Sequence, residues 1–256
     1  MASPGSLAAS LFDALVSGHS SIQSNASAAG DAVGFWSPAT AAINWCEVDY
    51  ESSYYVGEFW NTLTNAAYVA VGLCAISHNR KAKQEAHGYS RRAAVCCCLT
   101  GVFSGLFHAT LWMSFQRLDE VFETGIIVFL YHEHATGAAL GHFILAATAI
   151  LLAPSTSRVC EVHLVVMILA TIVRLSAASR DVPAAKPRIL AAAVATALGF
   201  AAWLMDRTFC HYTVSHFPIN VQLHAWWHLW TALALHFGFQ THQILFRHNR
   251  TLHVVE

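Results

Sequence analysis

Charge is scarce in this sequence. Asp, Glu, Lys and Arg make up 11% of its 256 residues while 55% are hydrophobic, against about 25% charged in an ordinary soluble domain. That leaves too little polar surface to cover a globule of this length in water. With a mean hydropathy of +0.45, the composition reads as a single membrane domain with short connections. A basic surplus is missing too: fourteen Lys and Arg stand against fifteen Asp and Glu, so there is no positive face for a nucleic-acid partner. Nor do the seven cysteines make a disulfide framework. Cys74, Cys96, Cys97, Cys98 and Cys160 lie in or beside apolar stretches and read as small buried hydrophobes; only Cys46 and Cys210 fall in polar connections. The start of the chain lacks the basic segment and apolar core of a secretory signal peptide. Residues 1–33 read instead as a flexible polar tail, with a glycosylation triplet at Asn25-Ala26-Ser27.

What the chain does have is apolar segments near the ~20 residues that a helix needs to cross a bilayer. Seven are read, at 59–78, 92–113, 118–135, 137–154, 161–177, 188–205 and 222–246. The expected fold is all-α, a seven-transmembrane helix bundle over residues 34–248, with a short tail at 249–256. Lys and Arg collect on the cytosolic side of a membrane protein. Arg80, Lys81, Lys83, Arg91 and Arg92 lie in the first connection, and Arg180, Lys186, Arg188, Arg247 and Arg250 in the fifth connection and the tail. Only Arg117, Arg158 and Arg207 lie opposite. This predicts a lumenal N-terminus and a cytosolic C-terminus. Cys46 and Cys210 then share the oxidising side, where a disulfide is chemically permitted.

Two stretches carry the chemistry. Ser104-Gly-Leu-Phe-His108 is followed by Asp119, and His224-Ala-Trp-Trp-His228 opens the last span. Residues four apart share a helix face, so Ser104 and His108 project together, and so do His224 and His228. Polar groups inside spans mark function by default, and the topology carries His108, Asp119 and His224 to one membrane depth. Three imidazoles from two helices leave the open fourth position of a catalytic zinc. Asp119 is then the proton acceptor and donor, Ser104 the hydrogen-bond donor to a developing oxyanion, and a lipid the substrate. His132 and His134 point to different faces of a helix, and His236 and His242 have no ligand-type partner one turn away, so these are read as structural.

Ahead of the first span lies a polar, aromatic stretch. Asn44, Glu47, Asp49 and Glu58 offer oxygens to a hard cation such as calcium but do not follow the EF-hand spacing, so on their own they read as a solvated loop beside the membrane.

Phe35-Trp36-x-Pro38, Trp45-Cys46-Glu47, Tyr50 and Glu58-Phe59-Trp60-Asn61-Thr62, together with Ser104-x3-His108, Asp119 and His224-Ala-Trp-Trp-His228, resemble the motifs of the alkaline ceramidases. The likeness runs through nearly the whole chain after about residue 33. The Ser/His, Asp and His-x3-His set is shared with a wider superfamily that includes the adiponectin and progestin receptors, so a zinc-containing lipid-signalling receptor is the rival reading. The Trp-Cys-Glu and Glu-Phe-Trp-Asn-Thr blocks favour the enzyme. The resemblance implies a seven-helix amidase of the endoplasmic reticulum or Golgi that cleaves ceramide to sphingosine and a fatty acid. It implies zinc on His108, His224 and His228, with Ser104 and Asp119 as its catalytic pair. It further implies a regulatory calcium in loop 44–58, on Asn44, the Trp45 carbonyl, Glu47, Asp49 and Glu58, and a Cys46–Cys210 disulfide. The chain departs from the pattern of animal members in having Asn at 44, where Asp is expected, and Asp at 49, where Asn is expected; the summed ligand charge is unchanged.

Overall fold

The computed structural model describes residues 33–81, 88–132, 136–153, 158–216 and 221–255. The polar tail, the Asn25 triplet, Lys83 and His134 lie outside the described residues. Those residues are helical apart from the N-terminal loop and the connections, with no strand among them. The helices are α1 (Phe59–Thr64), α2 (Ala66–Lys81), α3 (Gly88–Thr110), α4 (Met113–Tyr131), α5 (Thr136–Leu152), α6 (Arg158–Ala178), α7 (Lys186–His216) and α8 (Leu223–Val255). Because α1 and α2 abut at Asn65, they form one broken rod, and the described residues make seven helical segments.

Four stretches are long and apolar enough to cross a membrane: Phe59–His78, Arg91–Thr110, Cys160–Ala178 and Lys186–Cys210; the apolar helix Gly137–Leu152 is shorter. The remaining two segments carry polar side chains that lower their hydropathy. These are Arg117, Asp119, Glu120 and Glu123 in α4, and His224, His228, His236, His242 and His248 in α8. The same acids shifted the expected third span: read as 118–135, the helix runs from 113 to 131. Asp119 is therefore nearly two turns inside α4 rather than at its mouth. The sixth span also runs further than expected, to His216, through a non-helical step at Phe209.

The core lies where α2, α3, α4 and α8 meet, around Tyr68, Ala94, Cys97, Ile126, Phe129, Ala232 and Phe239. Cys96 and Cys97 are buried there, in the expected role of small hydrophobes. Outward-facing apolar residues stay bare: Leu145, Leu152, Val162, Val173 and Leu190 are 64–76% exposed. Such a surface on α5, α6 and α7 suits hydrocarbon rather than water.

Close packing of α2 against α3 positions the site. A Cβ on Gly101 would lie 2.8 Å from the Asn65 carbonyl oxygen and 2.9 Å from the Val69 nitrogen, backbone atoms that cannot yield. Ser104 and His108 lie one and two turns further along the same helix. Gly101→Ala is expected to push the helices apart and cost about 1–3 kcal/mol through overpacking. Thermal unfolding in detergent would detect this, and an unchanged melting temperature would contradict the packing described.

The N-terminal loop is tied to the end of α3. Gly57 N–H donates to the Ala109 carbonyl and Glu58 N–H to that of His108, both at 2.9 Å. A Cβ on Gly57 would meet Leu111 Cγ at 2.8 Å, so glycine lets the loop lie this close. Leu111, in the left-handed region at φ 57°, reverses the chain into α4, and its carbonyl accepts Thr40 and Ala41 N–H at 2.9 Å each.

Candidate metal centre and substrate cavity

His108 comes from α3 and His224 and His228 from the first turns of α8. The expected convergence is present. Ring centroids are 5.1 Å apart for His108–His224, 5.0 Å for His108–His228 and 4.6 Å for His224–His228. All three residues are buried, with one nitrogen from each lying within 4.8 Å of the others.

Neighbouring groups orient these rings. His108 Nδ1 contacts Glu58 Oε2; an ionised carboxylate only accepts hydrogen bonds, so Nδ1 carries the proton and Nε2 keeps its lone pair. His228 Nδ1 lies 2.9 Å from Thr64 Oγ1, whose own proton goes to the Trp60 or Asn61 carbonyl. Asn65 Nδ2 lies 3.5 Å from the same nitrogen, so Nδ1 is the committed nitrogen of this ring. His224 is stacked on Trp45, with centroids 3.5 Å apart and planes 13° apart, and its buried Nδ1 has no hydrogen-bond partner. Two imidazoles with their second nitrogen committed and a third with an orphaned nitrogen form a donor set that fits a transition metal such as zinc.

The three histidines line a cavity together with Ser104, Asp119, Glu120, Glu123 and Glu161. Ser104 hydrogen-bonds to the Asp119 carboxylate. Ser104 and Asp119 thus line the cavity of the imidazoles, with the Ser104 hydroxyl turned toward the acid. A second cavity, lined mainly by apolar side chains of α4, α6, α7 and α8, shares Tyr68, Glu123, Leu164, Ile168 and Trp227 with the first. The two cavities thus share a wall, one carrying the imidazoles and carboxylates and the other almost wholly apolar, a pairing suited to a lipid with a polar head and long chains.

Loop 44–58 wraps the start of α1. Glu47, one of the expected calcium ligands, has its two oxygens on Trp60 and Asn61 N–H at 2.7 and 2.8 Å, where it caps otherwise orphaned helix amides. Glu58 Oε1 accepts Trp45 N–H at 3.3 Å, and its Oε2 accepts Asn61 Nδ2–H at 3.0 Å as well as facing His108. Asn44 Nδ2 donates to Asp49 Oδ2 at 3.4 Å, and Asp49 Oδ1 is buried without a partner. Burial, then the Glu58 charge, pushes the Asp49 carboxyl up to about 7. Burial likewise raises Glu47 to about 7, against the pull of the two helix amides. Crowded carboxylates with an orphaned oxygen fit a hard dication, which would relieve their mutual repulsion. Of the block that opens α1, Glu58 and Asn61 are buried against the site while Trp60 is 46% exposed.

Cys46 and Cys210 form a disulfide, 164 residues apart in sequence. Sequence reasoning missed Thr64 behind His228, and Asp206, which accepts Cys46 N–H and His224 N–H at 3.0 and 3.2 Å. It also missed a chain of imidazoles from three helices: His132 Nε2 is 3.1 Å from His142 Nδ1, and His142 Nε2 is 2.9 Å from His163 Nε2. Nothing in local spacing points to these, because each joins distant segments. His236 pairs with Gln240 at 2.8 Å, consistent with a structural role.

A family model described as Ceramidase matches residues 37–253. An alkaline ceramidase of Arabidopsis thaliana is 32% identical over 212 residues, 76% of this chain and 80% of that protein. Alkaline ceramidase 3 of Mus musculus is 26% identical over 247 residues, 88% and 89% of the two chains. An alkaline ceramidase of Saccharomyces cerevisiae is 27% identical over 248 residues, 80% and 76% of the two chains. Since the matched region contains every residue of the imidazole cluster, the cavity and the loop around α1, this chain belongs to the ceramidase family.

Proposed function

We propose that this protein is an integral-membrane, zinc-dependent amidase that hydrolyses ceramide to sphingosine and a free fatty acid, with a calcium-responsive N-terminal loop. The observation that carries the reading is the meeting of three buried imidazoles in a cavity that also holds carboxylates and shares a wall with an apolar one. His108, His224 and His228 would hold the zinc, which when bound polarises a carbonyl and acidifies water near neutral pH.

The remaining chemistry belongs to the chain. Asp119 takes a proton from the attacking water as its oxygen bonds to the amide carbon. It returns that proton to the nitrogen as the C–N bond breaks, leaving a carboxylic acid and an amine. Ser104 orients Asp119 in the resting site and turns its hydroxyl to the oxyanion as charge develops there. A covalent serine mechanism is disfavoured, because the imidazole one turn from Ser104 is committed to the metal and to Glu58. Glu120 and Glu123 supply acceptors for the hydroxyls of the sphingoid head, and the second cavity takes hydrocarbon.

Asn44, the Trp45 carbonyl, Asp49 and Glu58, with Glu47 behind them, would hold calcium in loop 44–58. In this reading all seven helical segments span the membrane of the endoplasmic reticulum or Golgi, the N-terminus is lumenal and the tail after residue 248 is cytosolic. The excess of carboxylates beside the imidazoles favours hydrolysis over a receptor role, which needs no proton carrier.

The test is turnover of a fluorescent ceramide by purified protein in detergent. Asp119→Asn is expected to keep its zinc and lose about 10²- to 10⁴-fold in kcat, the range for a general acid–base group. Parent-level turnover by that variant would remove Asp119 from the mechanism, and no turnover by the parent would remove the function.

A further inference from the structure

Asp206 lies outside the catalytic set and is 3% exposed. Its Oδ1 accepts the backbone N–H of His224 at 3.2 Å, and its Oδ2 accepts that of Cys46 at 3.0 Å. His224 is the second residue of α8, so its amide is one of the four that a helix start leaves without an internal partner. A carboxylate from a neighbouring helix satisfies it and places negative charge at the positive end of α8.

The same carboxylate holds the segment that packs on the His224 ring. Trp45, next to Cys46, is the residue stacked on that imidazole. Cys210, one helical turn beyond Asp206 on α7, holds Cys46 a second time through the disulfide. Arg207 adds its guanidinium to the faces of Trp45 and Trp203, 5.4 and 5.2 Å from the ring centroids. Loop, α7 and α8 therefore meet at one buried side chain, which touches the backbone rather than the ring of the metal ligand.

We infer that Asp206 is a positioning residue for the metal centre: by gripping the His224 and Cys46 amides together, it sets the ring of His224 between Trp45 and the other two imidazoles. This inference rests on the reading of His108, His224 and His228 as a zinc site.

The test is the rate at which a chelator strips zinc from the full-length protein in detergent. Asp206→Asn keeps the side-chain volume but turns an N–H donor toward one of the two amides. It is expected to speed zinc release by about 10- to 100-fold, as second-layer substitutions at metal sites do, with the disulfide intact by mass spectrometry. Zinc release at the parent rate from folded Asp206→Asn overturns the inference, even if its melting temperature falls. Should that variant not fold, hydrogen exchange on the parent decides: stripping zinc is expected to deprotect the segments around Cys46 and His224 together, and deprotection of the His224 segment alone overturns the link. Absence of zinc from the parent itself is a distinct outcome, which overturns the metal reading and this inference with it.

Discussion

His224→Ala is expected to purify with little zinc and to lose ceramide turnover almost completely. The site has three imidazoles, and removing one leaves two donors, both on rings held by second partners. Metal polarisation supplies several kcal/mol of transition-state stabilisation, and at about 1.4 kcal/mol per factor of ten its loss is worth about 10³-fold or more in kcat. Elemental analysis and single-turnover kinetics on the same preparation would check both halves. The matched control is His236→Ala, on the same helix but paired with Gln240; a polar contact away from the site is expected to leave kcat within about twofold. If His224→Ala kept zinc and parent kinetics, the metal would have to lie elsewhere.

The second large effect is expected at Glu58. This carboxylate is fully buried and works in two directions: Oε1 accepts the Trp45 amide of the calcium loop, and Oε2 faces Nδ1 of His108. Glu58→Gln preserves shape and removes the charge, so His108 loses a charge-assisted hydrogen bond. Loss of such an outer partner costs about 10- to 100-fold in metal affinity or activity. The same substitution removes a proposed calcium ligand, so zinc affinity and the calcium response are expected to fall together in one variant. Glu47→Gln provides the contrast: its carboxylate caps α1 through Trp60 and Asn61 and does not touch a histidine. It is expected to weaken the calcium response and leave zinc affinity near that of the parent. Calcium titrations of activity and zinc competition with a chromophoric chelator would separate the two. A Glu58→Gln protein with parent zinc affinity and an undiminished calcium response would break the proposed link.

Much of the site was legible because helical spacing is a local rule. Ser104 and His108 share a face at four residues' separation, His224 and His228 do the same, and alternating spans return both pairs to one end of the bundle. Topology and redox side permitted the disulfide, and the family resemblance implied it. The limits were physical as well. Asp119, Glu120 and Glu123 lowered local hydropathy and delayed the apparent start of α4 by five residues, which hid that Asp119 lies well inside the helix. Glu58 read as a calcium ligand alone, since no spacing rule connects it to a histidine 50 residues away.

Composition and periodicity alone pointed to a helical fold suited to lipid surroundings, with three imidazoles and an acid carried on its helices. Those properties depend on side-chain type and on separations of three or four residues, which the primary structure states outright. Only the tertiary structure decided which nitrogen of His108 and of His228 is held by a neighbour, that Glu58 joins the loop to His108, that Asp206 joins α7 to α8, and that the site's cavity shares a wall with an apolar one. Hydrogen bonds are sensitive to tenths of an ångström, and segments distant in sequence reach that precision only after the helices have packed.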